Sequence, residues 1–391
     1  MLILFVLAHW GHHLLSSIIT PLLPFIRPAL SLDYAQAGWL VSAWTIAYGA
    51  SQLPAGWLAD RIGQRLLLAL GISGVALCGV LVGLAPNYLS MLIILVFMGL
   101  LGGGYHPTSA PLLTGLVEPN RRGWILGIHQ IGGTASSVTA PLLAAFIASY
   151  LGWQSAFIIP GVVVIVLGIV IYLLIDDKQV QKSVETTKSQ GKNETGEARG
   201  SLSRLIAYAT IGTAGQVFII STVAFIALFM VDKFKESAGS AALILAVVYF
   251  GGMASGPLGG YFSDRIGAPR MLIAAGLITG PVIFLLNIVP SVIVSFLVLL
   301  SLGALMYVLM PVSEAYIINQ TNQRNRSTVL GIYYSASRGG SGFLTPGLGY
   351  LIDRLGFYTA FSIMAAVILV IVAICSLYLW LQKTGAPGLQ T

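Results

Sequence analysis

Apolar residues in this chain run in unbroken stretches separated by short polar loops. Each stretch is roughly 20 residues long, the length a helix needs to cross a bilayer. None shows the apolar–polar alternation of a membrane barrel strand. Lipid leaves only helices or closed barrels as spanning structures, so the stretches read as helices. The pattern places six spans near 2–26, 34–58, 66–86, 89–115, 124–150 and 153–175. It places six more near 205–231, 238–262, 270–289, 291–318, 327–352 and 357–381. The first run has no basic leader and no cleavage site, so it reads as a span and not a signal peptide. Between the sets lies 176–204, whose stretch KSVETTKSQGKNETGEARG is rich in charge, Gly, Ser and Thr and has no apolar periodicity. It reads as a flexible linker between halves at 1–175 and 205–391.

Composition sharpens the choice of solvent. Hydrophobic residues make up 57% of the 391 residues and charged residues 8%. A soluble domain carries about 25% charged residues, so a water-exposed surface is excluded. The net charge of +7 would suit nucleic acid, but the basic residues sit in the loops. There they report topology. Fifteen of the 20 Lys and Arg fall on one side, including Arg61, Arg65, Arg121, Arg122 and the linker cations. Four (Arg27, Lys233, Lys235, Arg354) fall on the other, and Arg338 lies inside a span. The positive side is cytoplasmic, which puts both termini and the linker in the cytoplasm. Asn193 in the NET sequence fits a glycosylation acceptor but then faces the wrong compartment. Cys78 and Cys375 both lie in spans and read as packing residues, not as a disulfide.

The two sets of spans repeat each other. GWLADRIGQR at 56–65 returns as GYFSDRIGAPR at 260–270, 204 residues later. The same offset carries Gly99 to Gly303, Pro107 to Pro311, Arg122 to Arg326, and LGWQSAF at 151–157 to LGFYTAF at 355–361. Chance similarity between apolar helices does not hold register through loops, so the chain reads as a duplicated unit. Six spans per copy is an even number, so both copies insert the same way round. The expected fold is an all-α membrane protein of twelve transmembrane helices in two parallel six-helix repeats.

These features resemble the major facilitator superfamily. Gly56 to Arg65 looks like the family's loop motif between helices 2 and 3. Gly260 to Arg270 looks like its second copy, altered by Ala268-Pro269. Within the family, GGGYHP at 102–107 and GIHQIGG at 127–133 are similar to the fosmidomycin-resistance branch of efflux proteins. The antiporter pattern on helix 5 is met in part, by Gly127, Gly132, Gly133 and Pro141. The resemblance implies a solute site between the halves and alternating access by rocking. It also implies a cytoplasmic latch built from Gly56, Asp60, Arg61, Gly63, Arg65, Asp264 and Arg265. In that latch each Asp accepts from the N-terminus of a helix in the opposite half, near Ser327 for Asp60 and near Gly123 for Asp264.

Several polar residues inside the spans are candidates for chemistry. A charged side chain at mid-span costs roughly 2.5–3.5 kcal/mol or more, so it faces the bundle interior and has a partner. Glu314 and Arg338 are such residues. They read either as a working pair, with Glu314 carrying a proton and Arg338 holding an anionic solute group, or as a static pair fixing two helices. Their first-half counterparts are Ala110 and Thr134, so the charges belong to one half only. All five histidines (His9, His12, His13, His106 and His129) fall in the other half. Imidazole suits proton handling near neutral pH, and the plain alternative is hydrogen-bonded packing. A metal site is set aside, because the spans offer few accompanying carboxylates and no useful Cys. Gln130, Gln216, Trp44, Tyr48, Tyr307, Tyr316, Tyr333 and Tyr334 are candidates to line a path for an amphipathic solute.

The expected function is secondary active transport of a small organic solute, by proton-coupled efflux, in a prokaryotic inner membrane. No nucleotide-binding unit is seen, and no enzyme activity or cofactor is expected. The partners are solute, protons and lipid, and the chain is expected to be a monomer. Uptake or exchange of an organic anion through Arg338 is the alternative. A non-transporting receptor or assembly component is the alternative of another class.

Overall fold

The computed structural model describes residues 2–114, 117–118, 121–175, 201–253, 255–321 and 323–384. Every regular element among them is helical. In chain order these are α1 Leu2–Ser17, α2 Ile19–Ala29, α3 Tyr34–Ile62, α4 Gln64–Ala69, α5 Val75–Gly83, α6 Tyr88–Gly102, α7 Tyr105–Thr114, α8 Arg122–Leu151 and α9 Trp153–Leu174. After the linker come α10 Leu202–Ala224, α11 Ile226–Phe234, α12 Ala238–Met253, α13 Ser255–Ile266, α14 Ala268–Ile288, α15 Val292–Gln320 and α16 Gln323–Thr384. Among the described residues, nine helical stretches are long and apolar enough to cross a bilayer. One of them, Val329–Gln382, holds 54 residues and bends at Gly356, where φ is 74°. The linker expected at 176–204 lies outside the described residues up to Gly200; α10 begins at Leu202.

Local chemistry explains where the helices begin and end. Asp33 caps α3, accepting from the Gln36 N–H at 2.6 Å, and the Gln36 side chain returns to the Asp33 N–H. Asn87 and Ser90 make the same reciprocal cap for α6. Among the described residues four glycines take positive φ: Gly63, Gly152, Gly267 and Gly356. They form two pairs 204 residues apart, so the backbone breaks at matching points in each half. At Gly63 (φ 91°) the break turns α3 into α4 within a single residue, a conformation open to Gly and strained for other residues.

The described residues fall into two compact units. One gathers those of Met1–Glu194 with Phe225–Ala246, the other those of Thr195–Ala224 with Val247–Thr391. In the first, α1 packs along α8 and α3 along α6, over a core that includes Phe5, Leu15, Leu40, Trp44, Leu95, Met98, Tyr105 and Phe157. Phe225–Ala246 joins this unit, with α11 against α2 and the Phe225 ring 6.4 Å from that of Tyr34. In the second, α10 packs on α16, and α14 and α15 pack on each other.

Close approach of backbones holds both units together. A Cβ added at Gly99 would lie 2.6 Å from the Trp44 carbonyl oxygen, and one at Gly303 would overlap the Val248 carbonyl. Trp44 and Val248 are themselves 204 apart, so the same crossing is built twice. Such small-residue contacts replace the hydrophobic drive that lipid does not supply. Gly303→Ala is therefore expected to destabilise the protein by about 1–3 kcal/mol through overpacking, seen as a lower midpoint of thermal unfolding in detergent. Gly331→Ala meets no atom within 4 Å and is expected to leave the midpoint unchanged. Equal midpoints for the two variants would contradict the crossing.

Candidate functional site

The imidazoles of the first unit converge. His9, His12 and His13 lie on α1, His106 on α7 and His129 on α8. The His9 ring is 4.7 Å from His13, 5.4 Å from His106 and 4.2 Å from His129, centre to centre. His13 Nε2 and His106 Nε2 are 3.2 Å apart, a hydrogen bond in which one ring donates and the other accepts. Tyr105 is fully buried and stacks on His12 at 4.5 Å and on His9 at 5.5 Å. Trp44 and Tyr48 close the far side of His12, with ring centres 6.4 Å and 6.1 Å away.

Backbone carbonyls orient two of these rings. His9 Nδ1 lies 2.8 Å from the His129 carbonyl, and His12 Nδ1 lies 2.8 Å from the Gly71 carbonyl. A carbonyl only accepts, so each Nδ1 carries the proton and each neutral ring keeps its Nε2 lone pair. The Gly71 carbonyl is available because Leu70–Gly74 is a π-helical turn, which offsets the ordinary i→i−4 ladder. Gly71 also lets Tyr105 approach: a Cβ there would sit 3.0 Å from the Tyr105 nitrogen. Gly133 does the same for His9, at 2.7 Å from its Cε1. Among the described residues His12 Nε2 is buried without a hydrogen-bond partner, and the His129 ring faces the Phe5 backbone.

A second polar group sits in the other unit. Glu314 of α15 accepts a hydrogen bond from Tyr334 of α16, and its Oε1 is buried without a partner among the described residues. Tyr333 is buried beside Tyr334, ring centres 5.6 Å apart. Here the expected Glu314–Arg338 pair is not what forms. Arg338 is exposed, and among the described residues no ion pair joins it to Glu314. The physical reason is register. Tyr334 precedes Arg338 by four residues, one helical turn, and it is the turn carrying Tyr334 that meets Glu314.

The remaining candidates divide. Gln216 is buried and its Nε2 donates to the Met306 carbonyl at 3.0 Å. Tyr316 packs on Tyr208, 4.8 Å between ring centres. Tyr307 is half-buried against Gly252, and Gln130 is exposed. In the loop motifs, Arg61 lies over the Trp57 ring at 4.3 Å and Arg265 over the Tyr261 ring at 4.4 Å. Arg65 donates to the Tyr172 carbonyl at 2.8 Å. The side chains of Asp60, Asp264 and 322–328 lie outside the described residues. Sequence reasoning missed Tyr105, Tyr208 and the Gly71 carbonyl. Only the Tyr105–His106 adjacency hinted at the first, and nothing in LGISG at 70–74 signals a π-turn.

The family model described as Major Facilitator Superfamily matches residues 5–222 and 206–390. The chain belongs to that superfamily. It is accordingly a multi-pass membrane protein and a secondary transporter, not an enzyme. It is 28% identical to the "Probable sulfoacetate transporter SauU" of Cupriavidus necator, over 91% of this chain and 87% of that one. It is 27% identical to the "Multidrug resistance protein MdtG" of Enterobacter lignolyticus, over 95% and 90%. Among solved structures, the fold is similar to that of a bacterial homolog of the human lysosomal transporter Spinster, in an inward-facing and occupied conformation. The TM-score is 0.76 at 18% identity, covering 98% of this chain and 96% of that one.

The Glu314–Tyr334 contact makes a prediction about stability. A hydrogen bond to a carboxylate contributes about 1.5–3 kcal/mol. Tyr334→Phe should lower the unfolding midpoint in detergent, and it should do so much less in a Glu314→Gln background. Equal losses in the two backgrounds would show that the residues are not coupled.

Proposed function

We propose that this transporter couples inward proton flow to export of a small organic solute by alternating access in a bacterial inner membrane. The observation that carries the reading is the pair of titratable clusters inside apolar helices. His13 and His106 share one proton between two imidazole nitrogens 3.2 Å apart. Glu314 has a neutral hydroxyl partner and one buried oxygen without a partner among the described residues, a place where a proton would neutralise a buried charge. Similarity to MdtG over nine-tenths of the chain supports export, and it extends the efflux reading begun from GGGYHP and GIHQIGG.

Twelve crossings complete the topology. The nine apolar stretches are joined by α3, by α12 with α13, and by division of Val329–Gln382 at Gly356. That count supports two six-helix halves, the charge bias supports cytoplasmic termini, and the transport unit in this reading is a monomer. Asp60 and Asp264 act as cytoplasmic latches at the turns made by Gly63 and Gly267. Asp60→Asn is expected to reduce the solute transport rate about tenfold or more, with the protein still folded. An unchanged rate and unchanged conformational populations would remove the latch.

A second reading has its own support. Arg338 is exposed and not engaged with Glu314, and SauU is by its name a transporter of sulfoacetate, an organic anion. Uptake or exchange of such an anion would then use Arg338. Purified protein in lipid vesicles with an imposed pH gradient separates the two. The lead reading expects solute movement against the proton gradient, abolished by a protonophore and by Glu314→Gln. Gradient-independent anion exchange, lost in Arg338→Ala and kept in Glu314→Gln, would replace it.

A further inference from the structure

We propose that His9, His13 and His106 form a binding site for a divalent transition-metal ion of the zinc class, held within the helices of the first unit. One ligand nitrogen from each residue lies within 4.8 Å of the other two. The closest pair, His13 Nε2 and His106 Nε2, is 3.2 Å apart. Two imidazole nitrogens on one tetrahedral zinc, each about 2.0–2.1 Å from the ion, stand roughly 3.4 Å apart. The pair thus already spans one edge of such a site.

The rings agree with the nitrogens. Their centres are separated by 4.7 Å (His9–His13), 5.4 Å (His9–His106) and 5.2 Å (His13–His106). Three imidazoles sharing a tetrahedral ion place their centres roughly 5 Å apart. The planes are inclined by 61°, 89° and 37°, so the rings converge on a point and do not lie in a stack. His129 differs: its ring lies parallel to His9 within 12°, a stacked geometry that cannot share the ion. It serves instead through its backbone.

That backbone supplies the usual outer support of a metal-bound histidine. The His129 carbonyl accepts from His9 Nδ1, which fixes the tautomer and leaves Nε2 as the ligand atom. His9 and His13 are one turn apart on α1 and His106 comes from α7, so all three ligands are carried on helices and not on loops. Imidazole ligands favour zinc, copper, nickel or cobalt over magnesium or calcium. Three neutral ligands leave the ion's charge unreduced. A water in the fourth position loses a proton near neutral pH on such an ion and halves that charge. His9 is buried, while His13 and His106 are half-buried, which gives the ion a way in. As it enters, the ring that donates in the His13–His106 hydrogen bond gives up its Nε2 proton and takes one on Nδ1, so both imidazoles stay neutral and both Nε2 lone pairs face the ion. The absence of carboxylates and cysteines argued against a metal at the level of sequence. An all-histidine set needs neither.

The test is equilibrium binding to the purified, untagged full chain in detergent, so it does not depend on transport or its coupling. Cobalt(II) is the probe, because tetrahedral coordination gives intense visible absorption. One cobalt per chain is expected, displaced by zinc and not by magnesium. His13→Asn and His106→Asn should each weaken it about tenfold or more. His129→Phe keeps the carbonyl and the stacked ring and should stay within about threefold. Thermal midpoints identify variants that fail to fold, and the unmodified chain decides the question without them. No visible band at one equivalent of cobalt, or full affinity in a folded H13N/H106N double variant, would overturn the site.

Discussion

A polar side chain inside a bilayer-spanning helix has no water to bond and lipid offers it nothing, so its partner must come from the protein. Among the described residues the partner is most often a backbone carbonyl: one turn back on the same helix for many Ser and Thr side chains, and on a neighbouring helix for the larger polar groups and a few serines. The His129 carbonyl takes His9, the Gly71 carbonyl takes His12, the Met306 carbonyl takes Gln216, and the Gly99 carbonyl takes Ser51. Each such bond requires a helix whose carbonyl is reachable from the side. A π-turn at Leu70–Gly74 and the exposed flanks of glycine-lined crossings meet that requirement. The polar chemistry of the spans therefore depends on backbone geometry before it depends on other side chains.

Glycine sets that geometry. At Gly71, Gly99, Gly133 and Gly303 a single added carbon would collide with the backbone or ring that the site needs close by. The crossing of Gly99 on Trp44 recurs as Gly303 on Val248, and the turns at Gly63 and Gly152 recur at Gly267 and Gly356. What differs between the units is what the repeated frame carries. One carries clustered imidazoles around Tyr105, the other a carboxylate held by a phenol. A common scaffold thus holds two polar groups of different chemistry, one in each unit.

Much of this was legible in the sequence, because bilayer thickness dictates helix length and the repeat offset survives in the loops. The span near 153–175 is seen as Trp153–Leu174, and the one near 34–58 as Tyr34–Ile62. His9 and His13 could be put on one helix face from their spacing alone. Their meeting with His106 and His129 could not, since it follows from how α1, α7 and α8 cross. The turn of α16 that meets Glu314 is hidden from sequence for the same reason. A four-residue step along α16 separates Tyr334 from Arg338, and charge complementarity says nothing about which turn faces α15. The π-turn had no sequence signature, and Asp60 and Asp264, the carboxylates of the expected latch, fall outside the described side chains.

Backbone carbonyls hold His9 and His12 with Nδ1 protonated, leaving the lone pair on Nε2. Nitrogen NMR of chain labelled with 15N on the histidine rings reads this directly, and His9→Gln and His12→Gln variants assign the signals. Both residues are expected to be neutral Nδ1–H tautomers at neutral pH in detergent. Finding either one as an Nε2–H tautomer, or doubly protonated, would contradict it.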